Sequence, residues 1–489
     1  MAHAGCRTRL LCMLAELACA TLVARGIVAP GTAAMAAERG AFNVRDHGAA
    51  GDGKTLDTAA IHKAIAACVA AGGGEVVFPA GSYLSGTVHL RSNVTLRLEA
   101  GARLVGSKEL AHYQHFTPPE GSFEARSPKW HRALVLGEGV QNVAILGPGT
   151  IDGAKVFDPQ GEEKMRGPHT IVIGRSKAVT IRDVTVTDSA NYAIMVEWSD
   201  EVEVRGVKVT GGWDGVHFRA SADRPCRDLR IVGCRFSTGD DSIAGRYVKN
   251  LLVEDCTINS SCNGMRIIGP VTNMAVRNCR FYGPGVHPHR TSDRRNMLSG
   301  ILLQPGAWDR CDGPLEDVSI SDVTMKNVAS PVTIWLKRPT NTADRIMIVR
   351  LTATGVYRAA ASVESWTDVL VGRVEFRDVS LEFAGGGTLP RAKAPLKPPG
   401  LDSRPLPAWG FYARNVRDLR LENVRLGCAK ADLRHVMICD GADRLTLESL
   451  SYPKVRGAAE PLVLDHVKEL HARDAGVSSP PPPRPRDKR

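Results

Sequence analysis

The segment VTIRDVTV (179–186) decides the fold, because its pattern of apolar residues returns along the chain. Apolar residues occupy positions one, three, six and eight, and the two residues between the pairs are often Asp, Gly, Asn or Glu. The first five copies start 23, 27, 22 and 23 residues apart. The other copies are VEVRGVKV (202–209), LRIVGCRF (229–236), LLVEDCTI (251–258), MAVRNCRF (274–281), VSISDVTM (318–325), VEFRDVSL (374–381) and LRLENVRL (419–426).

Each octet has the pattern of two short strands joined by a bend, since side chains alternate between the two faces of a strand. A repeat of this kind every 22 to 28 residues predicts the stacked coils of a β-helix. Leucine-rich repeats are the main alternative, but they require a helical segment in each repeat, and the sequence contains none. Because each coil contacts only its neighbours, a solenoid of this length need not divide into several domains.

Three cysteines occupy position six of successive octets, where other copies have Val. Cys234, Cys256 and Cys279 are 22 and 23 residues apart, which is the period of the coil and not the spacing of a metal-binding motif. We therefore expect them to pack inside the coil as small apolar residues. A disulfide between stacked neighbours stays open in an oxidising compartment.

Two segments outside the octets have predicted structures of their own. Residues 55–71 have the pattern of an amphipathic helix, which Asp57 or Thr58 could cap and which would cover the first coil. Residues 385–407 are rich in Gly, Pro and basic residues and are interpreted as a long excursion from the coil. We predict an all-β parallel β-helix with a short N-terminal capping helix, in a single domain over residues 37–477.

The termini differ from the predicted coils. In residues 1–36, Arg7 and Arg9 precede an apolar stretch and a final Ala-Met-Ala, which is the pattern of an export signal; a disordered start is the alternative. Residues 478–489 are rich in Pro and basic residues and predict a disordered tail. No other stretch approaches the roughly 18 apolar residues of a membrane span. We therefore expect a secreted protein, periplasmic or extracellular.

The formal net charge of +11 has two interpretations. A basic surface attracts polyanions such as an acidic polysaccharide or a nucleic acid. An ordinary solvated basic surface, to which the C-terminal tail contributes, explains the charge equally well. Charge alone therefore selects no partner.

Three carboxylates recur one coil apart. Asp214 in GGWDGVHF and Asp240 in STGDDSIAG are separated by 26 residues, close to the 27 that separate the octets before them. Since neighbouring coils stack roughly 4.8 Å apart, we expect Asp214, Asp240 and Asp241 on one face. Crowded carboxylates raise one pKa, which provides an acid beside a base, the pair that cleaves a glycosidic bond. A polar turn or a calcium-binding ladder would also explain the pattern.

These motifs resemble those of glycoside hydrolase family 28, the polygalacturonase and rhamnogalacturonase group of the pectin-lyase-like superfamily. WDGVHF (213–218) is similar to the family's Asn-Thr-Asp-Gly element and GDDSIAG (239–245) to its Gly-Asp-Asp-Cys-Ile-Ala element. FNVRDHGAAGDGKTLDTAAIHKAIAAC (42–68) and GGGEVVFPAGSYLSGTVHL (72–90) resemble its N-terminal segment. The resemblance implies a right-handed parallel β-helix that hydrolyses a pectin-like or related acidic polysaccharide with inversion.

The resemblance also implies roles for the aspartates. Asp240 would protonate the leaving oxygen, and Asp214 and Asp241 would hold and deprotonate the attacking water. Neighbouring residues of a strand point to opposite faces, so Asp240 and Asp241 can both face a cleft only if the backbone bends there. Gly239 makes such a bend possible.

Two departures from the family bear on the substrate. Asn263 stands where the family has His, and Leu302-Leu303-Gln304 stands where it has Arg-Ile-Lys, the residues that grip a uronate carboxylate. Arg219, Arg246 or Arg266 could replace the missing cation, although a structural or solvated role is open for each. The predicted substrate-binding residues are His217, Arg219, Arg246, Asn263, Arg266 and Gln304.

The loop YGPGVHPHRTSDRRNM (282–297) should overhang the cleft, since it directly follows the coils at the three aspartates. It is either a subsite for an anionic sugar or a basic surface loop. A metal site at His287 and His289 is disfavoured because no third ligand is near in sequence. Three tryptophans could stack on sugar rings or be buried in the core: Trp213, Trp308 and Trp335.

Three functions remain open from the sequence. The leading one is a glycosidase that binds a polysaccharide, needs no cofactor or metal, binds neither nucleic acid nor membrane, and acts as a monomer. The second is a lyase in which the three aspartates bind calcium and Arg266 is the base. The third is a carbohydrate-binding β-helix without turnover.

Overall fold

The computed structural model describes residues 40–117, 131–308 and 310–475. The expected export signal (1–36) and the Pro-rich tail (478–489) lie outside these ranges. The described chain forms 34 strands, and the pairings between these strands are parallel throughout. The fold is therefore the predicted all-β parallel β-helix. None of the helices in the described ranges has the length and apolar character needed to cross a membrane.

The strands are numbered in chain order. The first coils contain β1 Ala41–Asn43, β2 Asp52–Leu56, β3 Gly74–Phe78, β4 Gly81–Ser85, β5 Val88–His89, β6 Val94–Leu98, β7 Ala102–Gly106, β8 Ala133–Glu138 and β9 Gln141–Leu146. The middle coils contain β10 Thr150–Asp152, β11 His169–Gly174, β12 Lys177–Arg182, β13 Thr185–Thr187, β14 Ile194–Glu197, β15 Asp200–Arg205, β16 Lys208–Thr210, β17 Val216–Arg219, β18 Cys226–Val232, β19 Arg235–Thr238, β20 Ile243–Gly245, β21 Val248–Glu254, β22 Thr257–Ser260, β23 Asn263–Ile267, β24 Val271–Arg277, β25 Arg280–Tyr282 and β26 Ser299–Leu303. The last coils contain β27 Gly313–Lys326, β28 Val332–Leu336, β29 Asn341–Val356, β30 Ala361–Ser365, β31 Val371–Gly385, β32 Ala408–Lys430, β33 His435–Glu448 and β34 Leu462–Arg473.

The strands stack into three parallel ladders, one on each side of the coil. The first ladder contains β12, β15, β18, β21 and β24, the second contains β13, β16, β19, β22 and β25, and the third contains β11, β14, β17, β20, β23 and β26. Each octet contributes one strand to the first ladder and one to the second. From β27 onward single long strands run through both of these ladders.

The octets stack in the predicted register. Val179, Val202, Leu229, Leu251 and Met274, the first residues of five successive octets, are direct partners along the first ladder. All five are almost fully buried. The apolar positions of the repeat therefore form the interior of the coil.

The bend inside each octet is a left-handed residue at position five. Asp183, Gly206, Gly233, Asp255 and Asn278 have φ values of 59°, 62°, 65°, 55° and 51°. Gly, Asn and Asp tolerate this region of φ/ψ better than other residues do. The side chain of Asn278 also donates to the Asp255 carboxylate over 2.6 Å, which links two coils at the bend.

At least two octets were missed in the sequence, and one of them, LTLESLSY (445–452), pairs in register with the octet at 419. IMIVRLTA (346–353) pairs in register with the octet at 318, and its bend residue Arg350 also has a positive φ of 52°. Arg350 donates to both carboxylate oxygens of Asp322 over 2.6 and 2.7 Å. Arginine is not a typical residue for a left-handed bend, and here Arg350 forms an ion pair with the previous coil.

The three stacked cysteines are interior residues, as predicted. Cys234, Cys256 and Cys279 are free thiols with exposures of 0%, 1% and 2% in the main apolar core. Val207 fills the same position in the coil before them and is also buried. The cysteines therefore act as small core side chains.

The predicted capping helix is α1, Thr58–Ala70. Its apolar face, with Ile61 and Ile65, belongs to the main core together with the first strands. Asp57 occupies the N-cap position, but its carboxylate accepts hydrogen bonds from the backbone of Ala50 and Gly51, and not from the helix. Asp57 therefore anchors the segment that precedes the helix.

The excursion at residues 385–407 contains the short helix α2, Leu389–Ala392, and packs back onto the coil. Ser403 donates to the carbonyl oxygen of Leu298 over 2.7 Å, and Arg404 donates to both oxygens of the buried Glu364. The segment is therefore held against the third ladder, where it reaches the functional site described below.

A substitution at one bend tests the role of left-handed residues. We expect Asp255→Val to lower the free energy of unfolding by about 1–2 kcal/mol, because a β-branched residue disfavours positive φ. Chemical denaturation measures the change, with Asp255→Asn as the control that keeps a tolerated residue type. Equal stability of the two variants would contradict this account of the bend.

Candidate active site

The three aspartates lie in turns that lead from the second ladder into the third. Asp214 lies between β16 and β17, and Asp240 and Asp241 lie between β19 and β20. All three line one cavity of about 260 Å³, which the sequence predicted as a shared face. Stacking of successive coils therefore brings together residues that are 26 positions apart.

The turn at Asp240 allows the adjacent side chains of Asp240 and Asp241 to face the same cavity. Residues 239–242 lie outside the strands, so the alternation of a strand does not apply to them. The Asp240 carbonyl oxygen accepts hydrogen bonds from the hydroxyls of Thr238 (2.8 Å) and Ser260 (2.7 Å). Gly239 is packed so closely that a Cβ atom there would clash with the Gly212 carbonyl oxygen. The expected bend is therefore present.

Asp214 belongs to a buried chain of hydrogen bonds. His217 Nδ1 is 2.6 Å from Asp214 Oδ2, and Arg219 Nε donates to His217 Nε2 over 2.9 Å. Arg219 Nη2 also donates to the Tyr192 hydroxyl, and the Tyr192 ring stacks on His217 at 4.3 Å. Because Nε2 accepts, a neutral His217 carries its proton on Nδ1 and donates it to Asp214.

Asp241 is held by the next coil. The backbone and side-chain amides of Asn263 both donate to Asp241 Oδ1 over 2.9 Å, and Arg266 Nη1 lies 3.7 Å from Oδ2. Asn263, which stands where the family has His, thus contacts a carboxylate of the cluster. It is fully buried and lies beneath the cavity wall.

Asp240 faces two basic side chains. Arg166 Nη2 lies 3.4 Å from Asp240 Oδ2, and His289 Nε2 lies 3.8 Å from Oδ1. The Arg166 guanidinium is 3.6 Å above the Trp213 ring and also pairs with Glu163 at 3.0 Å. Arg166 was missed in the sequence because it precedes the octets of the site and belongs to no motif.

The surroundings shift the pKa values of the three carboxyl groups in different directions. Burial, together with the charges of its two neighbours, raises the pKa of Asp214 well above 3.8. Burial also raises the pKa of Asp241, against the opposing effect of Arg266. For Asp240 burial acts upward too, but Arg166 and His289 outweigh it and lower the pKa. The cluster therefore holds its proton away from Asp240 in the substrate-free chain.

The predicted substrate-binding residues divide into two groups. His217, Arg219 and Arg266 line the cavity. Arg246 and Gln304 are buried and, like Asn263, are not part of the lining. The side-chain amide of Gln304 has no hydrogen-bond partner among the described residues.

Several residues of the lining come from segments outside the octets. The loop at 282–297 overhangs the cavity as expected and contributes His289 and Arg294. The excursion at 385–407 contributes Leu401 and Asp402, which the sequence did not indicate. The remaining additions are Glu162, Glu163, Arg166, Tyr192, Ala244, Cys262 and Ile268.

The three tryptophans differ in position. Trp308 is 51% exposed and lines the cavity, and the Arg266 guanidinium lies 4.9 Å from its ring centroid. Trp213 and Trp335 are buried. Trp308 is therefore the one of the three that offers a ring face to a sugar.

The acidic groups do not form a suitable calcium site. Oxygens of Asp240 and Asp241 and the Cys262 sulfur lie within 4.8 Å of one another, but calcium takes six to eight oxygen ligands and not a thiol. Arg294 donates to the Cys262 sulfur over 3.0 Å, and Arg266 and Arg166 lie against the two aspartates. Fixed guanidinium groups thus balance the negative charge where a cation would bind.

Two sequence profiles match the chain. The one described as "Right handed beta helix region" matches residues 169–306, and the one described as "Rhamnogalacturonase A/epimerase, pectate lyase-like" matches residues 41–108. A probable polygalacturonase of Vitis vinifera is 25% identical over 337 residues. The chain is therefore similar to right-handed β-helix and pectate lyase-like proteins over these ranges, and to polygalacturonases.

The alignments with the relatives differ in extent. The Vitis alignment covers 63% of this chain and 66% of the relative, a little under two thirds of its length. The solved exopolygalacturonase of Thermotoga maritima has a TM-score of 0.59 at 19% identity and covers 79% of this chain and 92% of its own. The plasmin and fibronectin-binding protein A of Streptococcus pneumoniae is 31% identical over 181 residues, which are 35% of this chain and 24% of that protein.

The opposite pKa directions of Asp214 and Asp240 predict opposite effects on stability. Above pH 3.8 the folded chain keeps a proton on Asp214 that the unfolded chain loses, so wild-type stability falls as pH rises through the raised pKa. Asp214→Asn removes this loss. We expect its melting temperature relative to wild type to increase from acid to neutral pH.

Asp240→Asn is the matched comparison. The lowered pKa of Asp240 contributes stability that is present above pH 3.8 and is lost as pH falls through the lowered pKa. This variant should therefore be less stable than wild type at neutral pH, and the difference should shrink in acid. Thermal melts at several pH values measure both trends, and parallel trends for the two variants would contradict the assigned directions.

Proposed function

We propose that this protein is an inverting glycoside hydrolase that cleaves O-glycosidic bonds in a pectin-like polysaccharide. The observation that carries the proposal is the convergence of Asp214, Asp240 and Asp241 on one cavity, where their pKa values are driven apart. A proton donor beside an ionised base is the requirement for glycosidic hydrolysis. The polygalacturonase relatives support the same class of reaction.

In the proposed mechanism Asp240 is the general acid. Its side chain is 14% exposed, against 6% for Asp214 and 7% for Asp241, so it is the carboxyl group most accessible to a glycosidic oxygen. Asp214 and Asp241 hold and deprotonate the attacking water. Inversion requires a gap of roughly 6.5–9.5 Å between acid and base for that water.

The buried His217 and Asn263 act as positioning residues. Each donates a hydrogen bond to one of the two proposed base carboxylates, His217 to Asp214 and Asn263 to Asp241. These contacts orient the two carboxylates. Hydrogen bonds of this kind also favour the charged form, which a base needs.

Asp240 must acquire a proton before it can act as the acid. Arg166 and His289 hold its pKa low in the substrate-free chain, whereas Asp214 and Asp241 have raised pKa values. Such coupled groups titrate as a unit. We propose that a bound sugar weakens the contact with Arg166, so that the proton of the cluster moves to Asp240.

The lyase alternative is less well supported. A lyase would need Arg266 as a base. Burial opposes the charged form of Arg266, but Asp241 and the other nearby acidic groups outweigh it and raise the pKa of Arg266. A guanidinium held in its charged form is a poor base. A binding function without turnover has one observation in its favour, the similarity to the plasmin and fibronectin-binding protein.

The remaining proposals follow from the sequence. Export rests on residues 1–36, and we propose that the protein acts as a secreted monomer, as one domain over residues 37–477, without cofactor or metal. N-terminal sequencing of the exported protein would show whether residues 1–36 are removed.

Replacing the proposed acid tests the reaction. We expect Asp240→Asn to lower kcat/KM by about 10²–10⁴-fold, the usual contribution of general acid–base catalysis. Reducing-sugar release from a panel of pectic polysaccharides measures it, with Asp255→Asn as a folded control in the neighbouring coil. Full activity of Asp240→Asn would contradict the assignment. Calcium-dependent unsaturated products from wild type would indicate a lyase, and binding without products would indicate a binding protein.

The pH profile tests the link between Arg166 and the acid. We expect Arg166→Gln to move the alkaline limb of kcat/KM to higher pH, because Arg166 lowers the pKa of Asp240 and the acid must be protonated. Arg277→Gln removes a guanidinium that pairs with Glu254 outside the described cavity lining, and it should leave the limb in place. An unmoved limb in a folded Arg166→Gln would show that another carboxyl group is the acid.

A further inference from the structure

We propose that the sugar ring bound beside the three aspartates is uncharged, with a hydroxymethyl, methyl or hydrogen substituent where a uronic acid has its carboxylate. This inference rests on the proposed function and specifies its substrate class. It is carried by the charges of the cavity and by the partners of its arginines.

The cavity has at most a small surplus of positive charge. Its described lining contains six carboxyl groups and four guanidinium groups, a formal charge of −2 with all of them ionised. The two histidines of the lining, His217 and His289, have pKa values lowered by burial, so they add no charge at neutral pH. Protonation of Asp214, Asp241 and Glu162, the lining carboxyl groups whose pKa values are raised by burial, brings the sum to +1 at most.

Arg166 is already surrounded by carboxylates. It lies 3.0 Å from Glu163, 3.4 Å from Asp240 and 3.7 Å from Glu162, and its guanidinium stacks on Trp213. Its side chain is only 6% exposed. A substrate carboxylate would have to displace one of these partners and leave it buried without its counter-charge, which is costly.

Arg266 is held in the same way from both sides. Its Nη2 donates to the Leu401 carbonyl oxygen over 2.8 Å and lies 3.8 Å from Asp402, while Nη1 lies 3.7 Å from Asp241. Leu401 and Asp402 belong to the excursion at 385–407. This segment therefore already supplies partners to Arg266 at the cavity.

The other two arginines of the lining also have partners. Arg219 donates to His217 and to the Tyr192 hydroxyl. Arg294 donates to Ser261, to Ser292 and to the Cys262 sulfur. Each guanidinium of the described lining therefore already has at least one acceptor or carboxylate within the protein.

Sugar hydroxyls suit this cavity better than a carboxylate does. A hydroxyl donates to carboxylate oxygens and accepts from guanidinium groups, so it pairs with either kind of group in the lining. A carboxylate only accepts, and here it would lie among like charges in a partly buried space. The exposed ring of Trp308 offers an apolar surface to the sugar ring.

A matched pair of ligands tests the inference. We would compare trigalacturonate with its carboxyl-reduced trigalactoside, which keeps the linkage and replaces each carboxylate by a hydroxymethyl group. Calorimetric titration of the full chain at neutral pH and fixed ionic strength measures the two dissociation constants. We expect the neutral trisaccharide to bind about tenfold more tightly or better.

A pair of charge variants shows whether the cavity charge is the cause. Glu163→Gln combined with Asp402→Asn removes one carboxylate beside Arg166 and one beside Arg266. We expect this variant to shift the preference toward trigalacturonate by several-fold relative to wild type. Glu254→Gln combined with Asp255→Asn makes the same change of formal charge outside the cavity and should not shift it.

Each outcome decides the inference. Tighter or equal binding of trigalacturonate by wild type overturns it, as does an unchanged preference in the Glu163→Gln/Asp402→Asn variant. Failure of both trisaccharides to bind at about 10 mM, a concentration that detects even weak binding, also overturns the inference for galactose-type rings. Selective binding of the neutral trisaccharide without hydrolysis supports the inference while contradicting the proposed hydrolase, so the two failures are distinguishable.

Discussion

The parallel stacking of coils in register is the constraint on which the rest of the structure depends. Because every strand pairs with its counterpart one coil away, a residue type at one octet position recurs in a row along the molecule. Rows of apolar residues form the core, and left-handed Asp, Asn or Gly residues form a row of bends. The same stacking places the turns of two successive coils side by side, and these turns contain the aspartates.

The site shows how several neighbouring carboxyl groups can be buried in a folded protein. Burying several like charges is costly, and here a raised pKa favours the neutral form of a carboxyl group or a guanidinium lies beside it. Arg166 approaches the aspartates from a segment outside the octet repeat, and Arg266 approaches them from the neighbouring coil. The balance that permits the cluster to exist also determines which of its members is ionised, and it leaves few charges available to a substrate.

Two irregular segments close around the regular coil. The loop at 282–297 contributes His289 and Arg294, and the excursion at 385–407 contributes Leu401 and Asp402. The coil alone supplies a face with three carboxylates. The irregular segments supply the charges and walls around it, so that the surroundings of the aspartates come largely from parts of the chain without a repeat.

The sequence by itself determined the coil, its register and the shared face of Asp214, Asp240 and Asp241, because a strict period converts spacing along the chain into position in space. It also predicted the buried cysteines and the capping helix. It missed Arg166 and Asp402, and it placed Gln304 and Arg246 among the substrate-binding residues although both lie outside the cavity lining. Only the tertiary structure decided these points, since loops meet the site through contacts over long separations that no period encodes, and the pKa of each aspartate depends on those contacts.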